Sequence, residues 1–224
     1  DGSEYNYSWN CGLEGPTRKM AVKKMRDQQI KNAFLMLLLS QGTPVIYGGD
    51  EFCNSQNGNN NAWCQDNPVG WTDWKAMRKN PKIFSFVKAA VAFRKAHPVL
   101  HMENEPKGVD YLAKGFPDMS FHGERAWYLN QENTSRLLGV MYCGSYAKKE
   151  DGSEDDFIYV GYNFHWENRT IALPNLPEGM TWKKTADTSD TEEGDSFRER
   201  EESYEKNIEI SPRTIVVLTG KKEE

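Results

Sequence analysis

The sequence predicts an α/β helix–strand–helix unit followed by an antiparallel β-sandwich. Three observations carry this reading. Leu39-Ser-Gln-Gly-Thr-Pro44 joins a helix stop to a strand start in one short turn, with Gly42 as the left-handed residue past the helix end. Asn80-Pro81 is a helix entry, with asparagine as N-cap and proline in the first turn, where its missing N–H costs nothing. Beyond Pro98 the hydrophobic period changes from helical to alternating.

The 224 residues suit one or two domains, with a boundary at Pro98 that gives units 1–98 and 99–224. Asp1 to Pro16 is rich in turn residues, and its start without methionine reads as a piece of a longer protein. A helix is expected from about Thr17 to Ser40. Its first half is amphipathic through Met20, Met25 and Ile30, whereas Ala33 to Leu39 is apolar all round and needs cover on more than one side. Val45-Ile46-Tyr47 then reads as a short buried strand from Pro44 to Tyr47, ended by the Gly48-Gly49 turn. In the second helix Ile83, Phe86, Val87, Ala90 and Phe93 share one face, and His97-Pro98 ends it.

Strands are expected at 126–129, 137–142, 157–162, 170–173, 180–182 and 214–218, separated by turn signals such as Asp151-Gly152 and Ser211-Pro212. Residues 186–206 hold nine acids against three bases, which predicts a solvated or disordered loop.

The overall charge of −5 is concentrated in that segment, so no basic stripe remains to hold nucleic acid or an anionic membrane. No apolar run reaches the length of a membrane span. Cys11, Cys53, Cys64 and Cys143 show no metal-type spacing and read as reduced thiols of a cytoplasmic protein; the four histidines are scattered. No metal or cofactor is expected.

The chemistry concentrates between Gly48 and Asn67. Asp50 and Glu51 follow the Pro44–Tyr47 strand at its carboxyl end, where α/β barrels carry their sites. The loop beyond holds Asn54, Gln56, Asn57, Asn59, Asn60, Asn61, Gln65 and Asn67. Planar amides suit sugar hydroxyls, and Trp63, Trp71 and Trp74 offer flat faces for pyranose rings. An Asn-rich turn with tryptophans in the core is the alternative.

Ser40-Gln-Gly-Thr-Pro-Val-Ile-Tyr-Gly-Gly-Asp-Glu-Phe52 resembles the last barrel strand of α-amylase-type glycoside hydrolases. Asn57-Gly-Asn-Asn-Asn-Ala-Trp-Cys-Gln-Asp-Asn67, with Trp71-Thr-Asp-Trp74, is similar to the isoamylase and glycogen-debranching (pullulanase-like) branch of that family. Residues Asn6 to Pro16 resemble that branch's loop before the penultimate barrel helix, and Pro117 to Trp127 its entry to the C-terminal β domain. The resemblance implies the last helix–strand–helix of a (β/α)8 barrel followed by a β-sandwich. It implies a parent that hydrolyses α-1,6 branches of glycogen or related α-glucans. It also makes Asp50, Glu51, Asn59, Asn60, Trp63 and Asp66, with Trp9 and Asn10 from the preceding loop, the substrate-contacting candidates.

Retaining hydrolysis needs a carboxylate nucleophile and a protonated carboxylic acid facing one bond. The family carries them on earlier strands, and no matching motif occurs here. Asp50 and Glu51 are adjacent, so an extended segment points them to opposite sides. The chain alone is therefore expected to be inactive. No Gly-x-Ser-x-Gly elbow, P-loop or dinucleotide glycine cluster offers another chemistry. Two rival readings are a barrel-capping structural domain and a carbohydrate-binding sandwich with exposed aromatics among Trp127, Tyr159, Tyr162, Trp166 and Trp182. A barrel strand and the apolar helix segment Phe34–Leu39, both lacking their sheet, also predict self-association.

Overall fold

The computed structural model of the chain describes residues 4–5, 7–132, 134–190 and 197–222. Helices α1 (Met20–Leu38), α2 (Trp74–Lys79) and α3 (Pro81–Ala96) come first. Strands β1 (Met119–His122), β2 (Leu137–Tyr142), β3 (Ile158–Asn163) and β4 (Arg169–Ala172) follow, then β5 (Met180–Asp187), β6 (Ser203–Tyr204), β7 (Asn207–Ile210) and β8 (Thr214–Lys222). Six strands form one antiparallel sheet in the order β1-β2-β3-β8-β5-β6, and β4 pairs with β7 beside it.

The period-2 pattern of the central strands explains the layering. Val140, Tyr142, Ile158, Val160, Tyr162, Ile215 and Val217 face one core, shared with α1 and α3. Their sequence neighbours Met141, Tyr159, Val216 and Leu218 face a second core closed by Ile171 of β4 and Ile208 and Ile210 of β7. With both faces covered, the strands read as continuous apolar runs.

The helices are tied to the sheet by polar contacts as well. Leu35 and Leu39 are fully buried, each burial worth about 1.5–3 kcal/mol. On the same helix Gln28 Nε2 donates to the carbonyls of Pro212 and Arg213, and Asn32 Nδ2 donates to Arg213 O at 2.7 Å. The buried Arg94 of α3 donates to Leu38 O, Ser40 O and Gly42 O at 2.6–2.7 Å, capping the open carbonyl end of α1. At the end of α3, His97 Nδ1 lies 2.8 Å from Asp155 Oδ1, and the Val99 N–H donates to Asp155 Oδ2.

Four expectations need correction. Residues 44–47 form no ladder, and Val45 is 83% exposed: the run has the composition of a strand, but no described strand lies beside it to complete the hydrogen bonds. Residues 126–129 form a turn held by an isolated Arg125–Tyr128 bridge, while β1, β6 and β7 were not anticipated. Phe34, Leu35, Leu38 and Leu39, expected as an exposed patch, are instead buried on the six-stranded sheet, because that sheet's apolar face is itself in need of cover.

The acidic segment is the fourth. Residues 191–196 lie outside the described residues, but the flanks on both sides pack. Ala186 is fully buried in β5, and Phe197 stacks at 5.7 Å from Phe86 and 5.1 Å from Phe93. Arg198 N and Arg200 N donate to the carbonyls of Thr185 and Lys184. One apolar side chain and backbone pairing outweigh the charge here.

Asn80-Pro81 opens α3 as expected, but α2 before it was not anticipated, and the Asn80 side chain donates to Phe52 O and Ala76 O rather than capping α3.

His122 of β1 is fully buried, accepts from Trp127 N–H at Nδ1 (2.8 Å) and bonds Ser120 Oγ at Nε2 (2.9 Å). Burial pushes its pKa from 6.5 down to about 4. The folded state thus binds its proton less readily than the unfolded chain. This stabilisation is complete above the unfolded value and is lost as pH falls through about 6.5 toward 4, up to roughly 3 kcal/mol. Urea unfolding of the parent and of His122→Asn between these pH values should show the steeper decline in the parent. Parallel curves would contradict the assignment.

Candidate functional site

The loop after Tyr47 is shaped first by glycine. Gly49 has φ 105°, and a Cβ there would lie 2.7 Å from Asn54 Cβ. Its N–H donates to Glu51 Oε2 at 2.8 Å, so Glu51 braces the turn that it follows. Phe52 anchors the next turn from below, 1% exposed, with Trp74 and Phe84 rings 5.8 and 6.2 Å away.

At least four of the amides hold the loop in shape. Asn54 Oδ1 accepts from Asp73 N, Asn59 Oδ1 from Asn61 N and Asn67 Oδ1 from Val69 N, while Gln65 Nε2 donates to Asn61 O. Gly70 passes so close to Gln65 that a Cβ would sit 2.4 Å from its carbonyl oxygen. Within this frame an open cleft of about 620 Å³ is lined by Tyr47, Gln56, Asn60, Asn61, Trp63, Gln65 and Asp66. Trp63 is 79% exposed, and Trp71 and Trp74 are 55% and 69% exposed, so these tryptophans are not core residues.

The structure therefore gathers Asn60, Trp63 and Asp66 into one cleft. Asn59 lies in the turn that carries it, and Glu51 braces the loop rather than lining it. Asp66 is the carboxylate among the cleft's lining residues, and it accepts from Trp71 Nε1 at 2.8 Å. Asp50 lines a different groove, bounded by Ile30, Ala33 and Leu37 of α1 and by Val45 and Ile46. Its carboxyl is raised above the usual range by burial and by the neighbouring Glu51 charge.

Trp9 and Asn10 sit on the loop before α1. Arg213 lies over the Trp9 ring at 5.5 Å, and Asn10 Oδ1 accepts from Gly12 N. Arg26, missed in the sequence, fixes this loop by donating to the carbonyls of Asn10, Leu13 and Gly15. Carbonyl partners leave no trace in side-chain spacing, so nothing in the sequence marked it. Tyr47 and Gln56 also join the cleft; Tyr47 was read as strand and Gln56 only as one amide among many.

Of the five sandwich aromatics named as a sugar-binding alternative, Tyr159, Tyr162 and Trp182 are buried, and Trp127 and Trp166 are exposed. A coplanar aromatic face built from these five is absent. Among the described residues, His97, Asp155 and Asp156 bring possible metal-ligand atoms within 4.8 Å. Lys149 and Lys221 Nζ, 3.3 and 3.0 Å from Asp156 Oδ2, already supply the positive charge there.

No family model matches the chain. It is 35% identical over 190 residues to isoamylase 1, chloroplastic, of Arabidopsis thaliana, covering 84% of this chain and 22% of that protein. It is 32% identical over 201 residues to a glycogen operon protein GlgX homolog of Mycobacterium tuberculosis, covering 85% of this chain and 28% of that protein. Among solved structures, pullulanase from Bacillus acidopullulyticus superposes with a TM-score of 0.62 at 17% identity, over 92% of this chain and 21% of that one. A pullulanase from Anoxybacillus sp. LM18-11 complexed with maltotetraose gives 0.59 at 18% identity, over 87% and 23%. The chain belongs to the isoamylase- and pullulanase-like branch of the α-amylase family and corresponds to its C-terminal portion. It spans 22% to 28% of the length of the two curated relatives described.

Proposed function

We propose that the chain forms one wall of the substrate groove and the C-terminal β domain of a retaining hydrolase that cleaves α-1,6 branches in glycogen or related α-glucans in the cytoplasm. Residues 1–98 are the last helix–strand–helix of its (β/α)8 barrel and residues 99–224 the β domain. The apolar groove between the outer face of α1 and residues 45–46 is where the rest of that barrel docks. Without that cover the chain associates with itself through the same groove, which Phe34 and Leu37 help to line, and not through the buried Leu35, Leu38 and Leu39.

The observation that carries the reading is the cleft of amides beside the open face of Trp63. Side-chain amides give and accept hydrogen bonds without net charge, which matches a neutral polyol, and the indole takes the apolar side of a sugar ring. Asn59, Asn60, Trp63 and Asp66 contact glucan. Asp50, Glu51, Trp9 and Asn10 shape the adjoining rim. None of them is the nucleophile or the acid: Glu51 is turned onto Gly49 N–H, and Asp66 is engaged by Trp71.

Calorimetric titration of the chain with maltooligosaccharides tests this. Binding is expected, weakened about tenfold by Trp63→Ala, a loss of about 1.4 kcal/mol. Pullulan and glycogen are expected to release no reducing sugar. Unchanged affinity in Trp63→Ala would remove the cleft from the site. Hydrolysis abolished by Asp50→Asn or Glu51→Gln would overturn the non-catalytic assignment.

A further inference from the structure

The turn after β1 holds a tryptophan in an unusual state. Trp127 has φ 65°, in the left-handed region that is strained for a bulky residue. Glycine or asparagine would fill such a position more easily. The strain is maintained from below: the Trp127 N–H donates to Nδ1 of the fully buried His122 at 2.8 Å, and Ser120 Oγ engages the imidazole's other nitrogen. The Trp127 ring lies 5.0 Å from the His122 ring and 6.3 Å from Phe116 at 31°. Phe116 in turn stands edge-on to Phe157, which belongs to the second core.

Burial does not repay this arrangement, because Trp127 remains 49% exposed and the adjacent Tyr128 is 59% exposed. A buried polar chain thus fixes the Trp127 backbone, and the His122 and Phe116 rings support its half-exposed indole from below. The exposed neighbours Glu124 and Arg125 carry opposite charges, so the surroundings favour neither an anion nor a cation. A supported, half-exposed aromatic face in a neutral setting suits the apolar side of an uncharged sugar ring.

We propose that Trp127 is a glucan-stacking platform on the β domain, separate from the amide cleft of residues 47–70. The identity of the sugar rests on the functional reading above; the existence of the platform rests on the turn. A glucan chain held there would be retained while another part of it occupies the cleft, so the two sites would act together on a branched polymer.

The test is the set of indole N–H signals of the 224-residue chain, titrated with maltoheptaose. The Trp127 signal is assigned by its absence in Trp127→Asn. It should shift saturably in the parent and in Trp63→Ala. The Asn variant should lose that response, keep the shift of Trp63 and melt at a higher temperature than the parent, since asparagine accepts the left-handed backbone. A Trp127 signal that stays still while Trp63 responds would overturn the platform and leave the cleft intact. The reverse result would sink the cleft reading and uphold the platform. If neither signal moves, both are wrong. A lower melting temperature in Trp127→Asn, together with a silent Trp127 signal in the parent, would make the ring a packing element only.

Discussion

Arg94→Met is expected to destabilise the chain by about 3 kcal/mol, through the loss of three charge-assisted hydrogen bonds, one of them to a buried carbonyl. Arg94 reaches Leu38 O, Ser40 O and Gly42 O with one planar fork, at the point where α1 runs out of its own donors. Methionine fills much of the same volume and supplies no donor. Leu38 is 2% exposed, so its carbonyl has little access to replacement water. Lysine carries the charge but lacks the planar fork and cannot span three oxygens in the same way, so Arg94→Lys should fall between parent and Met variant. Urea unfolding read by circular dichroism measures both. A Met variant within about 1 kcal/mol of the parent would show that the three carbonyls find other partners.

The second large effect is expected at Gly139. It faces Gly161 across the β2–β3 ladder, and the Tyr159 side chain lies over it. A Cβ on Gly139 would sit 2.0 Å from the Tyr159 hydroxyl, which donates to Ala172 O of β4. Tyr159 is fully buried, so it cannot swing aside without opening the second core. Gly139→Ala should cost about 3 kcal/mol through overpacking and the lost hydrogen bond, lowering the melting temperature by roughly 10 °C. Gly139→Val should cost more. Adding Tyr159→Phe removes the nearest clashing atom and leaves the ring carbon at 2.6 Å, so the double variant should recover part of the cost and be more stable than the sum of the two single changes. Strict additivity would place the strain elsewhere.

The legible parts of the fold were those whose cause is local. β2, β3 and β8 announced themselves because the same strand must satisfy two cores, and α3 because Asn80-Pro81 fixes its start. What failed depended on partners distant in sequence. Val45-Ile46-Tyr47 has strand composition, but a strand exists only through neighbours that bond to it. Phe197 was hidden by the acids around it, although its ring packs on Phe86 and Phe93. The alternation of Asn207-Ile208-Glu209-Ile210 was present in the sequence and simply too short to separate from a turn. Asn60, Trp63 and Asp66, which line one cleft, were readable because their side-chain chemistry marks them, whereas the bracing by Glu51 and Arg26 acts on backbone groups that every residue possesses.

The contact of α1 with the turn before β8 constrains how this sequence can diverge. Gln28 and Asn32 address the carbonyls of Pro212 and Arg213, not their side chains. Substitutions in that turn leave the acceptors where they are, while a single inserted or deleted residue would move them out of reach. The turn is thus fixed in length, and restrained in identity at Arg213, whose φ of 51° disfavours branched side chains, and at Thr214, whose hydroxyl also accepts from Gln28 Nε2.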